Sequence, residues 1–121
     1  MPQRTFSPSE VQGLIPSLEL LVGRLMVLHA EIRATTAQPQ LERLQADADA
    51  LVTRIEELGG ELKDLERGLV DFPCRRGSEI VLLCWQFGEK RLTHWHGVDE
   101  GFAGRKPLDG VPVEREAELL N

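Results

Sequence analysis

Apolar residues recur at steps of three and four early in the chain: Val11, Leu14, Leu18, Leu21, Leu25, Leu28 and Ile32. That heptad-like spacing lays one apolar stripe along a helix, as in a coiled-coil seam. "FSPSEV" supplies the helix start. Ser7 is the N-cap, Pro8 takes the first helical position, and Glu10 completes an S-x-x-E capping box. Phe6 and Val11 stand where a hydrophobic staple forms. Pro16 removes a backbone hydrogen bond, which predicts a bend in the helix and not a break. "TTAQPQ" (35–40) is the connection. A second stripe, Leu41, Leu44, Ala48, Leu51, Ile55 and Leu58, ends at Gly59-Gly60. A first helix of about 25 residues reaches about 38 Å at 1.5 Å per residue. Ile15, Val22, Met26 and Val52 widen both stripes beyond a two-helix seam. The hairpin therefore needs another partner, either the rest of the chain or a second copy.

Past Gly60 the period shortens. "ELKDLERGLVDFP", "SEIVLLCWQF" and "RLTHWH" read as extended, with Pro73 ending the run "GLVDF" and turns at "RRGS" and "FGEKR". The prediction is an α+β fold in a single domain. A long antiparallel helical hairpin (7–59) is followed by a small antiparallel sheet with a Gly-rich loop (60–110) and a tail (111–121). An even loop at "FGEKR" puts Val81, Leu83, Trp85 and Phe87 on one face with Leu92, His94 and His96. Ile80, Leu82 and Cys84 then share the other face with Thr93 and Trp95. An odd loop sets the histidines opposite Cys84, because a one-residue slip inverts every side chain. The even register is the expected one, and it brings both imidazoles beside the indole of Trp85.

The net charge of −6, from 14 basic and 20 acidic residues, disfavours nucleic acid or anionic lipid as the main partner. No run approaches the roughly 20 apolar residues of a membrane span, and "MPQRTFSPSE" lacks the apolar core of a signal peptide. A cytoplasmic protein is expected. Cys74 and Cys84 form no CxxC and read as reduced structural thiols. The basic residues Arg75, Arg76, Lys90, Arg91, Arg105 and Lys106 are interrupted by Glu79, Glu89, Asp99, Glu100 and Asp109. They read as a solvated rim of mixed charge rather than a nucleic-acid surface.

The candidate chemistry lies in "RLTHWHGVDEGFAGRKPL" (91–108). His94 and His96, two apart on a strand, point to one face, where two imidazoles can bind Zn²⁺ or another divalent metal. The third ligand would be a carboxylate: Asp71, Glu66, Asp64 or Asp99. Two half-exposed structural histidines, or general acid–base work without metal, fit the same spacing. Asp71 is flanked by Val70 and Phe72 and followed by Pro73, so its carboxylate needs a partner. That partner is Arg67, Arg75, Arg105 or loop amides, unless Asp71 serves as metal ligand or general base. "GFAGR" presents Phe102 and Arg105. Arg105 suits a small anionic ligand, or a salt bridge to Asp71 or Asp99.

Two functions follow. One is a homodimeric interaction module in which the leucine stripes of two hairpins pair. The other is a small metal-dependent hydrolase or ligand-binding protein. Its catalytic set would be Asp71, His94, His96 and Arg105, its metal ligands His94, His96 and Asp71, and its apolar wall Trp85.

"KDLERGLVDFP", "VLLCWQFGE", "WH" and "GFAGRKPL", in this order after a helical pair opened by "TFS", resemble domain-of-unknown-function family 2203, an uncharacterised bacterial family. The likeness spans nearly the whole chain and is most specific in its second half. This chain departs from the family pattern at Cys74, where Ala is more usual, and at Lys106, where Gln is. The resemblance implies a small bacterial protein. It supplies no reaction, cofactor or catalytic residue.

Overall fold

The computed structural model describes residues 4–108, so the expected tail (111–121) lies outside the described residues. Helix α1 (Pro8–Ala34) opens with the capping box: Ser7 Oγ accepts from the Glu10 N–H at 3.2 Å, and the Glu10 carboxylate accepts from the Ser7 N–H at 2.8 Å. Phe6 is buried against Phe72, ring centroids 5.2 Å apart, so this residue anchors the helix start to the sheet. The helix runs unbroken through Pro16. Helix α2 (Gln38–Glu57) takes in Gln38–Gln40, expected in the connection, because Pro39 falls in its first turn, where a missing N–H breaks no helical bond. The hairpin ends at Gly59, whose φ of 105° favours glycine; a Cβ there would also meet the Phe6 ring.

Five strands follow: β1 (Glu61–Asp64), β2 (Leu69–Arg76), β3 (Glu79–Gln86), β4 (His94–Gly97) and β5 (Lys106–Pro107). They form one antiparallel sheet in sequence order, completing the expected α+β fold. "ELKDLERGLVDFP" is two strands, not one. The turn between them is tied by Asp64, which accepts from the Arg67 N–H at 3.0 Å and from its guanidinium at 2.7 Å. Pro73 does not end the second strand, contrary to expectation. Its N and C=O point to the edge that β1 has already left, and its C=O accepts from the Phe6 N–H at 2.7 Å.

Val70, Phe72, Cys74, Val81, Leu83, Trp85 and Trp95 join Val11, Ile15, Leu18, Val22, Leu25 and Ile55 in one buried cluster. The sheet is therefore a partner of the widened stripes. Helix α1 also has, by length and composition, the apolarity of a membrane-crossing helix, with mean hydropathy 1.5 and only 39% of that window buried. A core helix meets the same criterion, so the value does not overturn the expectation of no membrane span.

The expected register is corrected too. Cys84 pairs with His94, Leu83 with Trp95 and Leu82 with His96, so the imidazoles lie on the face opposite Trp85. The connection 87–93 is no tight hairpin. It folds back on its surroundings: Trp85 Nε1 donates to the Glu89 C=O at 2.9 Å, the Phe87 N–H to the Gly68 C=O at 2.9 Å, and the Leu92 N–H to Gln12 Oε1 at 2.8 Å. Leu92 enters the core. The alternative register would have packed imidazoles among Val70, Phe72 and Leu83, where a polar ring has no partner. Trp85 is thus no wall of a histidine site.

Candidate functional site

The outer face of the sheet carries Leu69, Asp71, Cys84, His94 and His96, side by side through the pairings Asp71 with Cys84 and Cys84 with His94. Asp71, Cys84 and His96 are 1%, 1% and 3% exposed. Buried polar groups are costly unless partnered, so this cluster calls for an explanation, as does Trp95 Nε1 on the inner face, which is buried without a hydrogen-bond partner among the described residues.

His96 Nε2 and Asp71 Oδ2 are 3.0 Å apart, and His96 Nδ1 is 2.8 Å from the Gly97 C=O. A carbonyl can only accept, so Nδ1 carries a hydrogen. Nε2 then faces a carboxylate oxygen, and that contact requires a proton or another cation between the two atoms. Asp71 Oδ1 has no hydrogen-bond partner at ordinary distance among the described residues. One donor atom from each of Asp71, Cys84 and His96 lies within 4.8 Å of the other two. Burial pushes the Cys84 thiol up to about 12, helped by the negative charge of Asp71 and opposed by Arg105.

Arg105 reaches the cluster from behind. Its Nε donates to Cys84 Sγ at 3.3 Å, and its Nη2 to the Cys84 C=O at 3.1 Å and to Glu89 at 2.9 Å. Its ion partner is therefore Glu89, not Asp71 or Asp99. Glu89 also accepts from the Gln86 N–H at 2.7 Å. With its guanidinium so committed, Arg105 has little left for a small anionic ligand. His94 turns away: its Nδ1 is 2.8 Å from Thr93 Oγ1 and 3.8 Å from Glu89 Oε2. Of the four residues expected to converge, Asp71 and His96 touch, Arg105 joins them through Cys84, and His94 is engaged elsewhere. The partner of Asp71 is His96, not one of the arginines expected.

A cleft of about 350 Å³ opens over the cluster, lined by Lys63, Asp64, Arg67, Glu100 and Phe102 among others, with Asp71, Cys84 and His96 at its base. Two guanidinium groups lie over the Phe102 ring, that of Arg67 at 4.4 Å and that of Arg105 at 5.7 Å from its centroid. Lys63 is held above its ordinary value by Glu61, and Asp64 below its own by the Arg67 N–H. Glu100 accepts from the Gly97 N–H at 2.7 Å and from Lys106, which holds its carboxyl below the ordinary range. Gly104 is needed for the closing turn: a Cβ there would lie 2.6 Å from Glu100 Cβ. Neither Gly101 nor Gly104 takes a positive φ; close approach is what glycine supplies here.

Sequence reasoning missed Cys84 and Glu89. The signal for Cys84 was the odd register, which sets it beside the histidines. Glu89 looked like one more charge in a mixed rim, and only its return onto Gln86 reveals it as the post that holds Arg105.

A second feature lies on the helices. A groove of about 670 Å³ between α1 and α2 is lined by Ser17, Leu20, Leu21, Arg24, Leu51, Arg54, Glu57 and Leu58. Leu20 is 77% exposed and Val27, two turns on along the same face, 61%.

No curated protein and no solved structure among those compared matches the chain. The segments "GLVDFP", "LLCWQFGE", "WH" and "GFAGR" meet at this one cluster, and the family model described as "Uncharacterized conserved protein (DUF2203)" matches residues 4–108, so the chain belongs to that family.

Proposed function

We propose that the protein is a homodimeric interaction module that pairs through α1. The observation that carries this is the surplus of apolar surface on that helix: Leu20 stands 77% exposed beside an open groove floored by Leu21, Leu51 and Leu58. A protruding knob next to a hole on one face is self-complementary under a two-fold axis, because each copy can seat its Leu20 in the groove of the other. Arg24, Arg54 and Glu57 at the rim supply charges of both signs for pairs across the axis. The test is the mass in solution by light scattering. Wild type is expected as a concentration-dependent dimer and Leu20→Glu as a folded monomer; a wild type that stays monomeric across the range overturns the reading.

The buried Asp71–His96 pair favours a second role, as a small ligand-binding or hydrolytic site in the sheet cleft. Both His96 nitrogens are engaged, so the atom left to act on a ligand is Asp71 Oδ1, with His96 as its positioning residue. Hydrolysis of chromogenic esters and phosphoesters is the check. Turnover that vanishes in Asp71→Asn supports the role, and rates equal in the two proteins remove it.

A further inference from the structure

We propose that Asp71, Cys84 and His96 bind one divalent transition-metal ion, zinc by its donor set, at the base of the sheet cleft. The inference deepens the hydrolytic reading above but does not need turnover to be true.

Three observations converge. The first is the donor set: an imidazole nitrogen, a sulfur and a carboxylate oxygen, mutually within 4.8 Å. Zinc bonds of about 2.0–2.3 Å place ligand atoms roughly 3.3–3.6 Å apart in a tetrahedron. His96 Nε2 and Asp71 Oδ2, now at 3.0 Å, need to part by only a few tenths of an ångström. The second is the demand for a cation. With Nδ1 fixed on the Gly97 C=O, Nε2 confronts a carboxylate, and Asp71 Oδ1 is buried without a hydrogen-bond partner at ordinary distance among the described residues. The third is the support around the donors. Metal-bound histidines characteristically donate their other N–H to a carbonyl or carboxylate, as His96 does to Gly97. Arg105 Nε donates to Cys84 Sγ, a contact that suits a thiolate better than a neutral thiol.

The charges balance. In the metal-free state the thiol is neutral and one proton sits between imidazole and carboxylate. The ion displaces that proton and the thiol proton to solvent and takes Nε2, Sγ and a carboxylate oxygen as ligands. Its two positive charges then face one thiolate and one carboxylate, so the buried site is neutral before and after. Three protein ligands leave a fourth position facing the cleft, as in zinc sites that act on a bound water. His94 is left out of the ligand set because the donor atoms that lie within 4.8 Å of one another are those of Asp71, Cys84 and His96.

Cobalt(II) is the probe. Metal-free full-length protein titrated with Co²⁺ should take one equivalent and develop a thiolate-to-cobalt charge-transfer band. Zn²⁺ should displace the cobalt and bleach the band. Cys84→Ser should abolish the band and weaken binding about tenfold or more; Cys74→Ser and His94→Ala should keep both. Folded wild type that takes up no cobalt overturns the proposal whatever the variants do, and so does a band that survives Cys84→Ser. A metal that binds without any hydrolysis leaves this site standing and removes only the catalytic reading.

Discussion

Cys74 and Cys84 stand on neighbouring strands of one sheet, both fully buried, and on opposite faces. Cys74 belongs to the inner face and packs in the apolar core cluster with Phe72 and Val81. Cys84 lies on the outer face against Asp71, His96 and Arg105. Both thiols are shut off from water, yet only one has apolar surroundings. The inner face is the reason the chain folds. The outer face holds polar groups that are costly to bury, and the metal site proposed above would account for them.

The largest expected effect breaks the inner face. Trp85→Ala removes a fully buried indole and its bond to the Glu89 C=O, and should cost about 3–5 kcal/mol by chemical denaturation. On the outer face the cost should depend on how the pair is broken. His96→Ala strands a buried Asp71 and should cost about 3 kcal/mol, whereas Asp71→Leu with His96→Leu should lie within about 1 kcal/mol of wild type or above it. That contrast sharpens the difference between the faces. If the double replacement is as damaging as the single one, the outer cluster is structural after all, and the two cysteines differ only in neighbours.

The helices were legible because their signals are local. A capping box, a stripe at steps of three and four and a paired glycine each act within a turn or two, and Ser7, Glu10 and Gly59 do what their positions suggest. The site was half legible. Asp71 and His96 stand out because an acid between Val70 and Phe72, and an imidazole beside Trp95, must find partners. Which partner each finds depends on register, and register here is set by contacts far along the chain: Leu92 to Gln12, Phe87 to Gly68 and Glu89 under Trp85. A strand pattern with apolar residues on both faces cannot choose between two registers by itself. The same blindness hid the third member of the cluster, Cys84, and sent Arg105 to Glu89 instead of Asp71.

The smallest effect concerns the turn that closes the outer face, which has no counterpart on the inner one. Glu100 accepts from the Gly97 N–H and Lys106, and its folded-state carboxyl lies below the ordinary value of 4.5. The ionised form is thus the one the fold favours. Its contribution is fully present above the unfolded value and fades as pH falls through the folded one. The group is exposed, so the contribution is small and screened by salt. Glu100→Gln should melt slightly below wild type at neutral pH in dilute buffer, and the gap should close on acidification and in high salt. A gap that stays constant through both changes would place the hold on this turn in the packing of Gly104 and Phe102. The closing of the outer face would then be steric, as the inner face is throughout.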